Sequence, residues 1–242
     1  MQLVRATFND RVNDIESYFE LVQNIEAAIS QRSASFNVGS GVYNITPEQQ
    51  KIMYSGIYMH LYNLVEATMN MLIDALERNT QAALGGDVSL LSEKLRCLYV
   101  KSVTQPHDET LSYEVKLEKA LSLFKQALRI EPAEIKFPAG GGGNWDYGEI
   151  RKFSISVGVN IVLPRRINGL VQRPIRNDKA PLRLIKDIRN NLAHGSISFK
   201  ECGENHVSSD FRVLIDIVKE YLGNVLDAYD SYITSAQYRR AT

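Results

Sequence analysis

Between positions 184 and 199 the chain reads LIKDIRNNLAHGSISF. Arg189, Asn190, Asn191 and His194 crowd the end of an apolar-periodic segment that stops at Gly195. An imidazole titrates near neutral pH and moves protons. A guanidinium carries a permanent charge and a fork of donors that suits phosphate. Together they fit cleavage of RNA: the 2′-hydroxyl attacks the adjacent phosphorus, the His accepts or donates a proton, and the Arg steadies the developing negative charge. That chemistry requires no metal and no cofactor, and the ligand inventory suggests none. Cys97 and Cys202 are isolated, and His60, His107, His194 and His206 are scattered, with no HxxxH and no CxxC. The glycine run in AGGGGNWDYGEI lacks GxxxxGK[ST] and reads as a loop rather than a phosphate cradle.

On a helix of about 100° per residue, Ile185, Ile188 and Leu192 share a core-facing stripe, while Asp187, Asn190, Asn191 and His194 gather on another side. Arg189 and His194 lie five residues apart, which places them about 140° from each other on an ideal helix. One helix therefore does not hold them side by side. They converge if the Arg wraps, if the last turn deforms, or if a second copy supplies the missing group. A two-fold axis near this helix would bring two Arg and two His into one cleft, because such an interface is self-complementary. The third option makes a symmetric homodimer attractive.

The same region is basic. From Arg165 to Arg189 there are eight cations against Asp178 and Asp187, a local balance of +6 in a chain of zero net charge. Arg165, Arg166, Arg173, Arg176 and Lys186 are candidate contacts to an RNA backbone. Two plainer accounts compete. The cations could form a solvated face paired with the acidic first segment (Asp10, Asp14, Glu16, Glu20), and His194 could simply close its helix, where the dipole favours a cation.

The elements that must position these residues read as helices. Phe8, Val12, Ile15, Phe19, Val22 and Ile29 form one stripe. The segment QRSASFNVGSGVYNI then breaks the pattern. Thr46-Pro47-Glu48-Gln49 is a helix start with a capping box, and the helix behind it runs to about Glu77. Glu66 faces the site from that helix or has a solvated or capping role, and His60 on it packs in the core or an interface. Two shorter helices follow, in LLSEKLRCLYVKSV and YEVKLEKALSLFKQALRI, with His107 in the polar loop between them. An irregular Gly-rich insert spans about 131–177. In it Trp145 is an anchor or a base-stacking ring, and KFSISVGVNIVL has the alternation of a strand or small hairpin, or of a short helix plus a loop. Asn177 or Asp178 caps the motif helix, and His206 sits in a polar loop without a signal. A last helix starts near Ser208 with the stripe Leu214, Val218, Tyr221, Val225 and Tyr229. The expected architecture is one mainly α domain over 1–242. At 44% hydrophobic and 23% charged residues the chain has material for a core. It shows no apolar run of transmembrane length, and its start lacks a signal-peptide core, so a soluble cytoplasmic protein is predicted.

The stretch IRNNLAHG resembles the RxxxxH motif of the HEPN superfamily in its RNxxAHG form, and HLYNLVEATMNMLIDAL resembles the early HEPN helix that packs against the motif helix. The resemblance implies a HEPN-like helical bundle, similar to stand-alone bacterial nucleases, with an irregular or small β insert before the motif helix. It implies a metal-independent endoribonuclease of toxin–antitoxin or phage-defence systems, dimeric so that both motifs form one cleft and restrained by an antitoxin or another defence protein. Arg189 and His194 would be the catalytic pair, supported by Asn190. Toxins silenced by a nucleotidyltransferase partner carry Tyr two residues after the His; here that residue is Ser196, so this mode of silencing is not implied. Some HEPN proteins have lost catalysis and serve as interaction modules in defence complexes, the alternative for this chain.

Overall fold

A computed structural model describes residues 1–31, 34–104, 110–138 and 144–240. His107 and the glycine run, Gly140 to Gly143, lie outside the described residues. The chain is mainly α. Helix α1 (Gln2–Ser30) turns its predicted stripe inward, with Val4 and Ile25 added to it. Helix α2 (Pro47–Leu84) is the spine, about 57 Å long at 1.5 Å per residue. Its start is the predicted capping box. The Thr46 hydroxyl accepts from the Gln49 N–H and the Gln49 side chain accepts from the Thr46 N–H. It runs past Glu77 to Leu84, where Gly85 adopts φ +59° and ends it.

After a short 3-10 turn at Val88–Leu90 come α3 (Glu93–Thr104) and α4 (Tyr113–Ala127), then α5 (Tyr147–Val157), α6 (Arg165–Gln172) and α7 (Pro181–Ala193). The four-residue α8 (Phe199–Cys202) leads to α9 (Ser208–Thr234). Helix α2 touches α1, α7, α8 and α9, so the motif helix α7 rests on the spine. One continuous apolar cluster runs from Val4 in α1 to Ile233 in α9, including all five residues of the predicted α9 stripe. Where α8 crosses α2 the backbones nearly touch. A Cβ on Gly203 would fall 1.9 Å from the Lys51 carbonyl oxygen, so only glycine fits there.

The structure corrects three local readings. KFSISVGVNIVL is no strand: its first half belongs to α5, capped by the Asp146 carboxylate, which accepts from the Glu149 N–H at 3.1 Å. Its second half is a connection to α6. The alternative of a short helix plus a loop is the one observed, and much of the 131–177 segment is helical in α5 and α6. The small sheet lies elsewhere, an antiparallel hairpin of β1 (Ser35–Val38) and β2 (Gly41–Asn44) in the segment read as a simple break. Asn177 and Asp178 do not cap α7, whose N-cap is Ala180. They occupy left-handed conformations, φ +50° and +54°, in a tight turn where the Lys179 N–H donates to the Arg176 carbonyl.

Candidate functional site

Helix α7 starts at Pro181, whose ring suits a first turn. It buries Leu182, Leu184, Ile185 and Leu192, with Ile188 packed partly against the core. Anchored in this way, it presents Arg189 and Asn190 half-buried and His194 exposed at its C-terminal end. His194 is the C-cap residue, its N–H bonded to the Asn190 carbonyl at 2.9 Å, and Gly195 at φ +69° carries the chain away. Among the described residues, no hydrogen bond or ion pair engages the His194 imidazole.

Arg189 sits in a prepared setting. Its guanidinium carbon lies 4.7 Å from the ring centroid of Tyr62, on α2. Its Nη2 is 3.9 Å from Oε2 of Glu66, one turn further along the same face of α2. Its Nη1 donates to the Asn190 Oδ1 at 3.0 Å. The Asn190 amide in turn donates to the Asn144 Oδ1 at 3.2 Å. The segment carrying Asn144 is itself fixed. Trp145 is buried edge-on to Phe153, which makes it the anchor and not a base-stacking ring. The Trp145 backbone hydrogen-bonds the Tyr62 hydroxyl, whose pKa burial pushes up. Asp146 caps α5 and forms a largely buried ion pair with Lys186 of α7. Its carboxyl stays below its ordinary value: burial works against the charge, but the Lys186 ammonium and the α5 N–H groups outweigh it.

A guanidinium has five donors. Among the described residues the Arg189 guanidinium makes one hydrogen bond and one long ionic contact, and it lies over the Tyr62 ring. The side chain stays about a third exposed. That is the geometry of an anion receptor held in place and left open. His194 lies at the same helix end, and among the described residues no contact joins the two side chains.

The basic segment is more self-satisfied than its composition suggests. Arg166 pairs with Glu220, and Lys179 and Arg183 share Asp187. Arg176 donates to the carbonyls of Glu204 and Asn205 and to His206 Nδ1, tying the α6–α7 turn to the α8–α9 turn. Of the five backbone-contact candidates, Arg165 and Arg173 stand exposed without a partner among the described residues. The acids of α1 do not meet this segment. Glu16 pairs instead with Arg212 and Lys219 of α9, which hold its pKa down at about 2. His60 packs against Tyr18, ring centroids 4.7 Å apart. A cavity of about 260 Å³ lies away from the motif, lined by Tyr58, Arg176, His206 and Phe211 among others.

Sequence reasoning missed Tyr62 and Asn144. Tyr62 carried a signal, its i,i+4 spacing from Glu66 on a helix expected to pack on the motif. Asn144 carried none, being 46 residues from its partner.

Nearly the whole length, residues 2–238, matches the family model described as HEPN_MAE_28990-like HEPN. The chain belongs to this HEPN family. Comparison with curated proteins and with solved structures returns no significant match. No helix among the described residues is long and apolar enough to cross a membrane.

Proposed function

We propose that the chain is a metal-independent endoribonuclease of HEPN type. The observation that carries this reading is Arg189: stacked on Tyr62, steadied by Glu66 and Asn190, with donors still open, at the helix end that bears an exposed imidazole. Two copies related by a two-fold axis along α7 bring an Arg189 of one and a His194 of the other to a single phosphodiester. The imidazole takes the proton from the 2′-hydroxyl as its oxygen bonds to phosphorus, and a protonated imidazole gives one to the departing 5′-oxygen. The guanidinium holds the non-bridging oxygens, on which negative charge grows. The products are a 2′,3′-cyclic phosphate and a 5′-hydroxyl. Arg165 and Arg173 supply outlying contacts to the backbone. As the resemblance implies, such an enzyme acts in the cytoplasm within a toxin–antitoxin or phage-defence system, restrained by a partner protein.

The test is incubation of the purified protein with total RNA in excess EDTA, followed by analysis of the new termini. Cleavage with cyclic phosphate ends is expected, reduced at least about 100-fold by His194→Ala or Arg189→Ala with the circular dichroism melt unchanged. Absence of cleavage by the wild type, with both variants impaired only in assembly, would make the chain a non-catalytic interaction module.

A further inference from the structure

Helix α4 is built inside out. None of its residues is buried. The side turned to α3 is largely polar: Tyr99 of α3 donates to the Gln126 Oε1 at 2.7 Å, and the Gln126 amide donates to Ser122. Arg129, just past the helix, is held by Asp87 and Ser89. The apolar stripe Leu117, Leu121, Phe124 and Leu128 faces outward, each residue about half exposed or more. Its steps of four, three and four residues are those of a helix-pairing seam. A helix that only covered the core would turn this stripe inward.

The flanks say what covers it. In an antiparallel pair of such helices, Leu117 meets Leu128 of the other copy and Leu121 meets Phe124, giving four layers. In that register Glu118 on one flank falls beside Lys125 of the other copy, and two-fold symmetry repeats the contact. On the opposite flank Ala120 falls beside Ala127, so the backbones can approach closely. Among the described residues Glu118 has no ionic partner, and Lys125 has only the exposed pair with Glu131. We propose that α4 pairs antiparallel with α4 of a second copy, through a surface separate from the Arg189–His194 cleft. A protein using both surfaces grows from dimers to tetramers. One pair of four-turn helices buries less than the ~1,000 Å² of a stable interface, so association belongs to the micromolar range.

Sedimentation equilibrium between about 1 and 100 μM tests this. The wild type should show a concentration-dependent doubling of mass that Leu121→Glu abolishes without altering the melt. Because Leu121 is exposed, its replacement leaves the core alone. Glu118→Lys sets like charges opposite each other twice and should weaken association about tenfold. Adding Lys125→Glu restores opposite signs and should recover most of the loss. A mass that does not change with concentration, or that does so equally in the wild type and Leu121→Glu, overturns the proposal. So does a double variant no tighter than Glu118→Lys, which would point to a different protein on this face. Neither result bears on the nuclease reading, since the two surfaces share no residue.

Discussion

An arginine that receives phosphate must be fixed in place while keeping its donors free. The Tyr62 ring under Arg189 suits both needs, because a cation–π contact holds the guanidinium without consuming an N–H. Glu66 works differently. Its carboxylate lies 3.9 Å away, with both side chains about a third exposed. A pair so exposed contributes about 0–1 kcal/mol and gives way readily to a phosphate. It also competes with that phosphate. In Glu66→Gln, Tyr62 and Asn190 keep the guanidinium in place while the competing charge disappears. Binding of a 2′-deoxy substrate analogue, which lacks the attacking hydroxyl, should tighten by about threefold. Fluorescence anisotropy measures it, and weaker binding would mean that Glu66 organises the site more than it opposes the ligand. The two ends of the motif were legible because Arg189 and His194 are neighbours in sequence and their chemistry is in their side chains. The floor of the site was less so. Tyr62 and Asn144 reach Arg189 and Asn190 only through the packing of α2 and of the 144–146 segment onto α7; the i,i+4 spacing from Glu66 hints at Tyr62, and nothing local points to Asn144.

At the scale of elements, the capping box and the helical stripes of α1 and α9 survived folding, and the strand alternation and the cap expected at Asn177 or Asp178 did not. The Thr46 capping box closes within one turn and forms as read. The alternation through KFSISVGVNIVL misled because half of it belongs to a helix. Ile150, Phe153, Ser154 and Val157 keep helical spacing and are buried, and beyond Gly158 the chain alternates inward and outward with no neighbouring strand to make a ladder. The real hairpin has no buried face to pattern its sequence, and its one cue is Gly39 at φ +57°, first of the two turn residues. His206 likewise looked idle in sequence, yet it joins two turns. Arg176 can only donate, so Nδ1 of His206 accepts, and the other ring nitrogen, 3.3 Å from the Tyr58 hydroxyl, carries the proton. Burial, then the Arg176 charge, lowers its pKa to about 4, against a weaker opposing pull from Asp210. Below pH 6.5 the unfolded chain binds a proton at this His that the folded chain refuses. Stability therefore falls as pH drops from 6.5 toward 4, by up to roughly 3 kcal/mol. Urea melts at pH 7, 6 and 5 should show this slope, and His206→Gln should flatten it whatever it does to stability at pH 7. An unchanged slope would show that the ring is not held neutral.

At the scale of the molecule the question is how many chains make one site. The whole chain is neutral, so it carries no global field to draw RNA, and on the proposed function binding would rest on what the cleft concentrates. On an ideal helix Arg189 and His194 lie about 140° apart around the axis, and among the described residues no contact joins their side chains. The proposed cleft of two copies would bring them together, and it has a consequence that no single-chain site shares. An Arg189→Ala chain retains its His, and a His194→Ala chain retains its Arg. Each variant alone forms dimers lacking one half of every pair. Co-expressed, about half of the dimers are mixed, and each mixed dimer holds one complete pair drawn from both subunits. The mixture should recover a substantial fraction of the wild-type cleavage rate, and separating the chains by differently tagged purification should place that activity in the mixed dimers. The rate should also decline on dilution below the dimer dissociation constant, and titration with either inactive variant should drain a fixed amount of the other into mixed dimers until activity plateaus. If the mixture stays as inactive as its components while mixed dimers form, Arg189 and His194 act within one subunit, and the last turn of α7 must rearrange on binding RNA to bring them together.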